Sequence, residues 1–230
     1  MLALSQKLSL SSLKKTGGAS AWTPTDDASL EAWYQNSVGI TLNGSDVSSW
    51  ADSSTNTFDM LQAIVAEQPS YNALNGELTF ASAYINNLQA SSQIDLLGEY
   101  TFGIRMFPTA TGVVVVGSNT SPLEFVKIMN TTDVRVSDGV GQIDITLDSG
   151  SFLADMTFVI TRDAANLTTL YINGVAQADT ETLTGAIELD AIGVRRIDKN
   201  PYDGVIKEIQ IYTSTSATLT ANVIARLASL

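Results

Sequence analysis

Leu170-Tyr171-Ile172-Asn173-Gly174-Val175, followed later by Asp203-Gly204-Val205-Ile206-Lys207-Glu208-Ile209-Gln210-Ile211-Tyr212, decides how this chain folds. Each stretch alternates apolar and polar residues, as a strand with one buried face must. Asn173-Gly174 interrupts the alternation with two residues that tolerate positive φ, the signature of a tight hairpin. The pattern predicts a short turn at Asn173-Gly174 and a central strand over 204–212. Val205, Ile206, Ile209 or Ile211 then face the core by alternation.

The same reading extends in both directions. Leu30-Glu31-Ala32-Trp33-Tyr34 reads as a strand, and Asn43-Gly44 as a turn between two more. Further strands are predicted over 100–107, where Pro108 stops the run, and over 113–116, 123–129, 133–137, 142–147 and 156–162. Residues 186–189 and 191–194 add two short ones. Turn residues recur about every 8 to 12 positions, the rhythm of an all-β sandwich. The tail differs: Ser216 or Thr218 can cap a short helix with Leu219, Val223, Ile224, Leu227 and Leu230 on one face, a lid for a sheet.

Composition bounds the chemistry. The chain has 230 residues, a length that suits one large β domain, and its 44% hydrophobic content is enough for a core. Without Cys there are no disulfides and no thiolate metal sites. Without His there are no Ser-His-Asp triads and no imidazole ligands. The formal net charge is -12, and Lys7, Lys14 and Lys15 stand in an N-terminal stretch that has no acid. So acidic a body repels nucleic acid and most membranes. No apolar run approaches the roughly 20 residues of a membrane span. Ser5, Gln6 and Lys7 interrupt Met1-Leu2-Ala3-Leu4 before a secretory signal core can form, so none is expected.

Several quoted elements occur in a telling order. Trp33-Tyr34, then Gly39-Ile40-Thr41-Leu42-Asn43-Gly44 and Val47-Ser48-Ser49-Trp50-Ala51-Asp52-Ser53-Ser54, lead to Gln68-Pro69-Ser70-Tyr71 and Asn75-Gly76-Glu77-Leu78-Thr79-Phe80. This order, with the closing strands above, resembles the concanavalin A-like lectin or laminin-G-like jelly-roll domains of (marine) bacteriophage structural proteins. The resemblance implies an all-β, antiparallel two-sheet sandwich with an N-terminal arm and a short C-terminal helix. It divides the chain into an arm at 1–18, a linker at 19–27 and the lectin-like domain at 28–230. The implied function is that of a non-enzymatic virion protein, a capsid decoration or tail-fibre component present in several copies or as a homo-oligomer. The alternative is a carbohydrate-binding module for a host surface glycan, and a divergent glycoside hydrolase ranks third.

The arm supplies the docking residues. Leu4, Leu8, Leu10 and Leu13 follow neither helical nor strand spacing, and Lys14 and Lys15 precede the flexible Gly17-Gly18. Burying the leucines against another virion protein, with the lysines on an acidic partner surface, is the expected arrangement.

Catalytic chemistry is not expected. Retaining glucanases on such folds alternate carboxylates along one strand, and Glu188-Leu189-Asp190 is followed by Ile192 and Gly193 where a third acid belongs. Asp144 and Asp148 have the spacing without glutamates. No cofactor is expected. Calcium is the one ion that Asp46, Asp52, Asp59, Asp198 and Asp203 could serve, and they lack the fixed spacing of an EF-hand. Trp33 and Trp50 fall within the strand pattern and are expected in the core. Tyr84, among Asn86, Asn87 and Gln89, is the candidate sugar platform. Arg195, Arg196 and Lys199 form a basic cluster expected to balance Asp190, Asp198 and Asp203.

Overall fold

The computed structural model describes residues 22–196 and 199–230. The arm residues Leu4, Leu8, Leu10, Leu13, Lys14 and Lys15 lie outside the described residues, as does Asp198. The described chain is all-β with one C-terminal helix. In order its strands are β1 (Leu30–Tyr34), β2 (Ile40–Asn43), β3 (Asp46–Trp50), β4 (Met60–Leu61), β5 (Ser70–Asn72) and β6 (Glu77–Phe80). Then come β7 (Leu88–Leu96), β8 (Tyr100–Pro108), β9 (Val113–Gly117), β10 (Glu124–Ile128), β11 (Asp133–Asp138) and β12 (Gln142–Thr146). The last are β13 (Met156–Arg162), β14 (Leu167–Ile172), β15 (Val175–Thr182), β16 (Ile187–Ile192) and β17 (Gly204–Tyr212), before helix α1 (Ala217–Ala228).

All strand pairings are antiparallel. One run is β1-β17-β8-β13-β14-β15, with β6 sharing the other end of β17 and β5 beside β6. The other run is β2-β3-β4-β7-β16-β9-β10-β11-β12. The resemblance implies a two-sheet sandwich. β3 pairs with β5 at Asp46 and Ser70, so the two runs are joined in one nearly barrel-shaped ladder. Val47 N donates to Pro69 O at 2.7 Å and Tyr71 N to Ser45 O at 3.0 Å across this seam. On the opposite side, side chains make the closure: Thr146 N donates to Asp179 Oδ2 at 2.7 Å, and Asp148 N to Gln177 Oε1 at 2.9 Å.

The expected hairpin is present. Asn173 (φ 50°) and Gly174 (φ 81°) form a two-residue turn with Ile172 opposite Val175. The β2–β3 turn is displaced by one residue from the expected one. Asn43 pairs with Asp46, and the turn residues are Gly44 (φ 68°) and Ser45. The 204–212 strand is central, with β8 on one side and β1 and β6 on the other. Ile206, Ile209 and Ile211 are buried in the main core and Val205 is half-buried. Strict alternation could not place Ile206 and Ile209 together; a register shift between Ile206 and Glu208 flips the face. Trp50 is fully buried and donates Nε1–H to Gln35 O at 3.1 Å, and Trp33, on β1, is buried as well.

Ser216 caps α1, its Oγ accepting from Leu219 N at 3.0 Å. Leu219, Val223 and Leu227 pack with Val159 and Tyr212 on the outer face of the sheet, and Trp22 packs against this cluster. Gly103 on β8 permits the close approach: a Cβ there would lie 2.5 Å from Val223 Cγ1. The helix therefore buries the outer face of β17 too, where Glu208 is wholly enclosed. Arg226 of α1 binds it through Nε at 3.0 Å and Nη2 at 2.8 Å, Gln210 Nε2 donates at 2.8 Å, and Asn36 N at 3.1 Å. This ion pair fixes the helix to the sheet by directional bonds as well as apolar contact.

Candidate functional site: a groove beside Tyr84

A groove of about 440 Å³ lies over the β3–β5–β6 seam, lined by Asp46, Gln68, Ser70, Thr79, Tyr84 and Asn86, with Val65, Ala66 and Ala81. Register builds its polar side. Asp46 is paired with Ser70, and Ser70 with Thr79, so three polar side chains form one rung across three strands. Cross-strand partners share a face, and two strand spacings separate the ends by about 10 Å. Their apolar neighbours Val47 and Leu78 turn the other way, into the core. This alternation fixes which face is wet.

Tyr84 ends a 3-10 turn at Ser82–Tyr84 and is 67% exposed. The next residue, Ile85, is left-handed at φ 57°, a costly conformation for a β-branched side chain. Its neighbours hold it there. Ala81 N donates to Asn86 Oδ1 at 2.8 Å, and Asn87 Nδ2 to Ile85 O at 2.8 Å. Asp203 anchors the start of the turn, accepting from Ser82 Oγ at 2.7 Å and Ser82 N at 3.3 Å, and from Thr109 Oγ1. The hydrogen bonds from Thr109 and then Ser82 hold the Asp203 carboxyl below the ordinary carboxylate value. Strain of this kind persists only where surrounding bonds over-determine it.

Beneath the groove runs a framework of buried amides. Gln62 Nε2 donates to Asn87 Oδ1 at 2.8 Å and to Glu67 Oε2 at 3.2 Å. Gln68 Nε2 donates to Gln62 O at 2.7 Å, and Asn86 Nδ2 to Gln68 O at 3.0 Å. Gln89 Nε2 donates to Asn87 Oδ1 at 2.9 Å. The loop of residues 61–68 is thereby tied to the loop that carries Tyr84. Gln68 Oε1 is buried without a hydrogen-bond partner among the described residues. The loop presents Leu61, Ile64 and Val65 to solvent, each at least half exposed, beside the exposed tyrosine ring.

Tyr84 is thus the sequence-predicted residue that falls on the groove. Asp46, singled out for calcium, lies there as well, but away from the other proposed ligands. Asp52 is consumed by Trp33 N, Ser54 N, Ser54 Oγ and Phe58 N, while Asp59 accepts from Asp52 N. Among the described residues, no three acids come together in a way that could hold a metal ion. Glu188 lies opposite Asp95 on β7 and does not line the groove. Asp190 is buried, accepts from Asn119 N, and has its carboxyl pushed up chiefly by that burial. Ile192, where a third acid belongs, is core. Asp144 is paired with Arg135 at 2.7 Å, and Asp148 accepts from Ala178 N.

Of the basic cluster, Arg195 makes its described contacts away from Asp190 and Asp203. Arg195 lies 4.2 Å over the Phe125 ring and donates to Pro122 O at 2.6 Å and to Asn200 Oδ1 at 3.2 Å. It shields an aromatic ring and ties a loop, in place of balancing Asp190 or Asp203. Ser70, Thr79 and Gln62 carry no local signal of their role. The Gln68-Pro69-Ser70-Tyr71 motif marks the right strand but not its register.

No family model and no curated protein matches the chain. Solved structures do. The binding domain of Paraclostridial Mosquitocidal Protein 1 matches over 90% of this chain and 53% of its own, at 15% identity and a TM-score of 0.58. Domain 4 of AbnA, a GH43 extracellular arabinanase from Geobacillus stearothermophilus solved in complex with arabinotriose, matches over 86% of this chain and 98% of its own, at 17% identity and a TM-score of 0.57. The Botulinum neurotoxin serotype D ligand binding domain, in complex with N-acetylneuraminic acid, matches over 86% and 50%, at 15% identity and a TM-score of 0.56. The chain therefore spans about half the length of the first and third of these and nearly all of the arabinanase domain. At these identities the likeness is one of fold: a lectin-like β architecture shared with these three domains.

Proposed function

We propose that this chain is a non-catalytic carbohydrate-binding module and that its sugar site is the groove beside Tyr84. One observation carries the reading: a two-thirds-exposed tyrosine stands beside the Asp46–Ser70–Thr79 rung, on loops fixed by buried amides. An aromatic face packs against the C–H face of a sugar ring, while polar groups beside it meet the hydroxyls. Loops held before binding lose less entropy on binding. The fold shared with an arabinotriose-bound domain and an N-acetylneuraminic acid-bound domain supports the reading. We read the two runs of strands as the two layers of a lectin-like sandwich, joined along the β3–β5 seam.

A glycan array probed with the full chain, followed by calorimetry on each hit, tests this. Tyr84→Ala should weaken binding tenfold or more, about 1.4 kcal/mol, without loss of folding. Equal binding by the two proteins would remove the groove from consideration.

The setting of the module rests on the sequence resemblance. We propose display on a bacteriophage particle, with residues 1–18 docked through Leu4, Leu8, Leu10, Leu13, Lys14 and Lys15. Deleting residues 1–18 should abolish incorporation into particles; normal incorporation would refute the docking role.

A further inference from the structure

Resting on that reading of the groove, we propose that it selects neutral, hydroxyl-rich saccharides and excludes those bearing carboxylate, sulfate or phosphate groups. The argument is an inventory of hydrogen-bonding capacity. Among the described residues, Asp46 is the charged residue of the lining, and neither Lys nor Arg belongs to it. The amide donors are partly committed, with one N–H of Gln68 Nε2 given to Gln62 O and one of Asn86 Nδ2 to Gln68 O. The open acceptor of the lining is the Asp46 carboxylate, which takes one 3.3 Å bond from Ser45 Oγ, whereas Gln68 Oε1, without a partner among the described residues, is buried. The hydroxyls of Ser70, Thr79 and Tyr84 both give and receive.

An anionic group offers only acceptors. In this groove it would meet a like charge at Asp46 and find no cation. Several cations elsewhere in the described fold are already engaged. Lys207, on the strand beside β6, is held by Glu77 at 3.2 Å and donates to Leu230 O. Arg105, Arg135 and Arg226 are each paired with a carboxylate, and Arg162 is spent on the carbonyls of Gly98, Leu96 and Gly185. The chain's net charge of -12 adds a longer-range repulsion that salt only partly screens. A sugar hydroxyl brings a donor for the Asp46 carboxylate, which an anionic group cannot, and vicinal hydroxyls can share its two oxygens.

The test uses the full chain against neutral trisaccharides of arabinose, xylose, glucose, galactose and mannose. Beside them stand 3′-sialyllactose, trigalacturonate and a sulfated galactose trisaccharide, all measured by calorimetry. At least one neutral sugar should bind, no acidic one should, and both Tyr84→Ala and Asp46→Ala should weaken the neutral interaction tenfold or more. Thr79→Val, at an exposed position, gives a milder loss and guards against a folding artefact in either variant. An acidic saccharide whose binding depends on Tyr84 would overturn the selectivity while leaving the groove as the site. Binding that ignores all three substitutions, or no binding across the panel, would overturn the groove and the selectivity together.

Discussion

Replacing Arg226 by Met removes the cation from the ion pair that fixes α1 to the sheet. Glu208 is wholly buried, so its charge would remain in a poorly polarisable site. It would keep the bonds from Gln210 Nε2 and Asn36 N and lose both from Arg226. Leaving a buried charge uncompensated costs about 3 to 5 kcal/mol. The Arg226 side chain is 28% exposed, so water reaches the vacated end and the lower figure, about 3 kcal/mol, applies. For a chain of this size that lowers Tm by about 6 to 12 °C. Differential scanning calorimetry and urea unfolding measure it. The diagnostic comparison is the double variant Glu208→Gln/Arg226→Met, in which the charge is gone and an acceptor for Asn36 N is kept. It should recover most of the loss. A single-variant cost below about 1 kcal/mol, or a double variant no more stable than Arg226→Met, would show that apolar packing alone holds the helix.

Three further outcomes follow from the same structure. Gly103→Ala places a Cβ 2.5 Å from Val223 Cγ1 and 3.1 Å from Leu227 Cδ1, and should cost about 1 to 3 kcal/mol in urea unfolding by pushing α1 off the sheet. Gly193→Ala, at φ +87° with its Cβ 2.9 Å from Asn86 O, should destabilise the chain by a similar amount, about 1 to 3 kcal/mol, and weaken sugar binding measured by calorimetry. Asp203 has a lowered folded pKa, so its stabilisation is complete above its unfolded value near 3.8 and disappears as pH falls through the lower folded value. The stability gap between the native chain and Asp203→Asn should be constant from pH 5 to pH 7 (about one pH unit and more above the unfolded pKa) and shrink below about pH 4.

The hairpin, the central strand and the helix cap were legible because each is a local device. Asn173-Gly174 carries its own φ preference, and Ser216 its own cap. The buried carboxylate was not legible. Alternation alone gives Glu208 to solvent, and only a helix that arrives later in the chain turns that face inward and supplies Arg226. The bulge that reunites Ile206 with Ile209 leaves no mark in the sequence either. At the groove, Tyr84 could be singled out because an aromatic among amides is a local pattern. The Asp46–Ser70–Thr79 rung could not, since it exists only through the register of three strands separated by loops. Asp46 attracted notice as one acid among several, for an ion that the neighbouring acids do not converge to hold.

The β3–β5 seam gives the groove an intrinsic reporter. The amide protons of Val47 and Tyr71 cross it to Pro69 and Ser45, and they flank the rung at Asp46 and Ser70. For these protons to exchange with solvent deuterium, the seam must part locally, and a parted seam has no rung. A saccharide lying across it must therefore slow exchange at these two amides by the factor in which it favours the closed form, while amides in the distant β13–β14 ladder keep their rates. Occupancy can be read residue by residue from the backbone, with no label on the sugar.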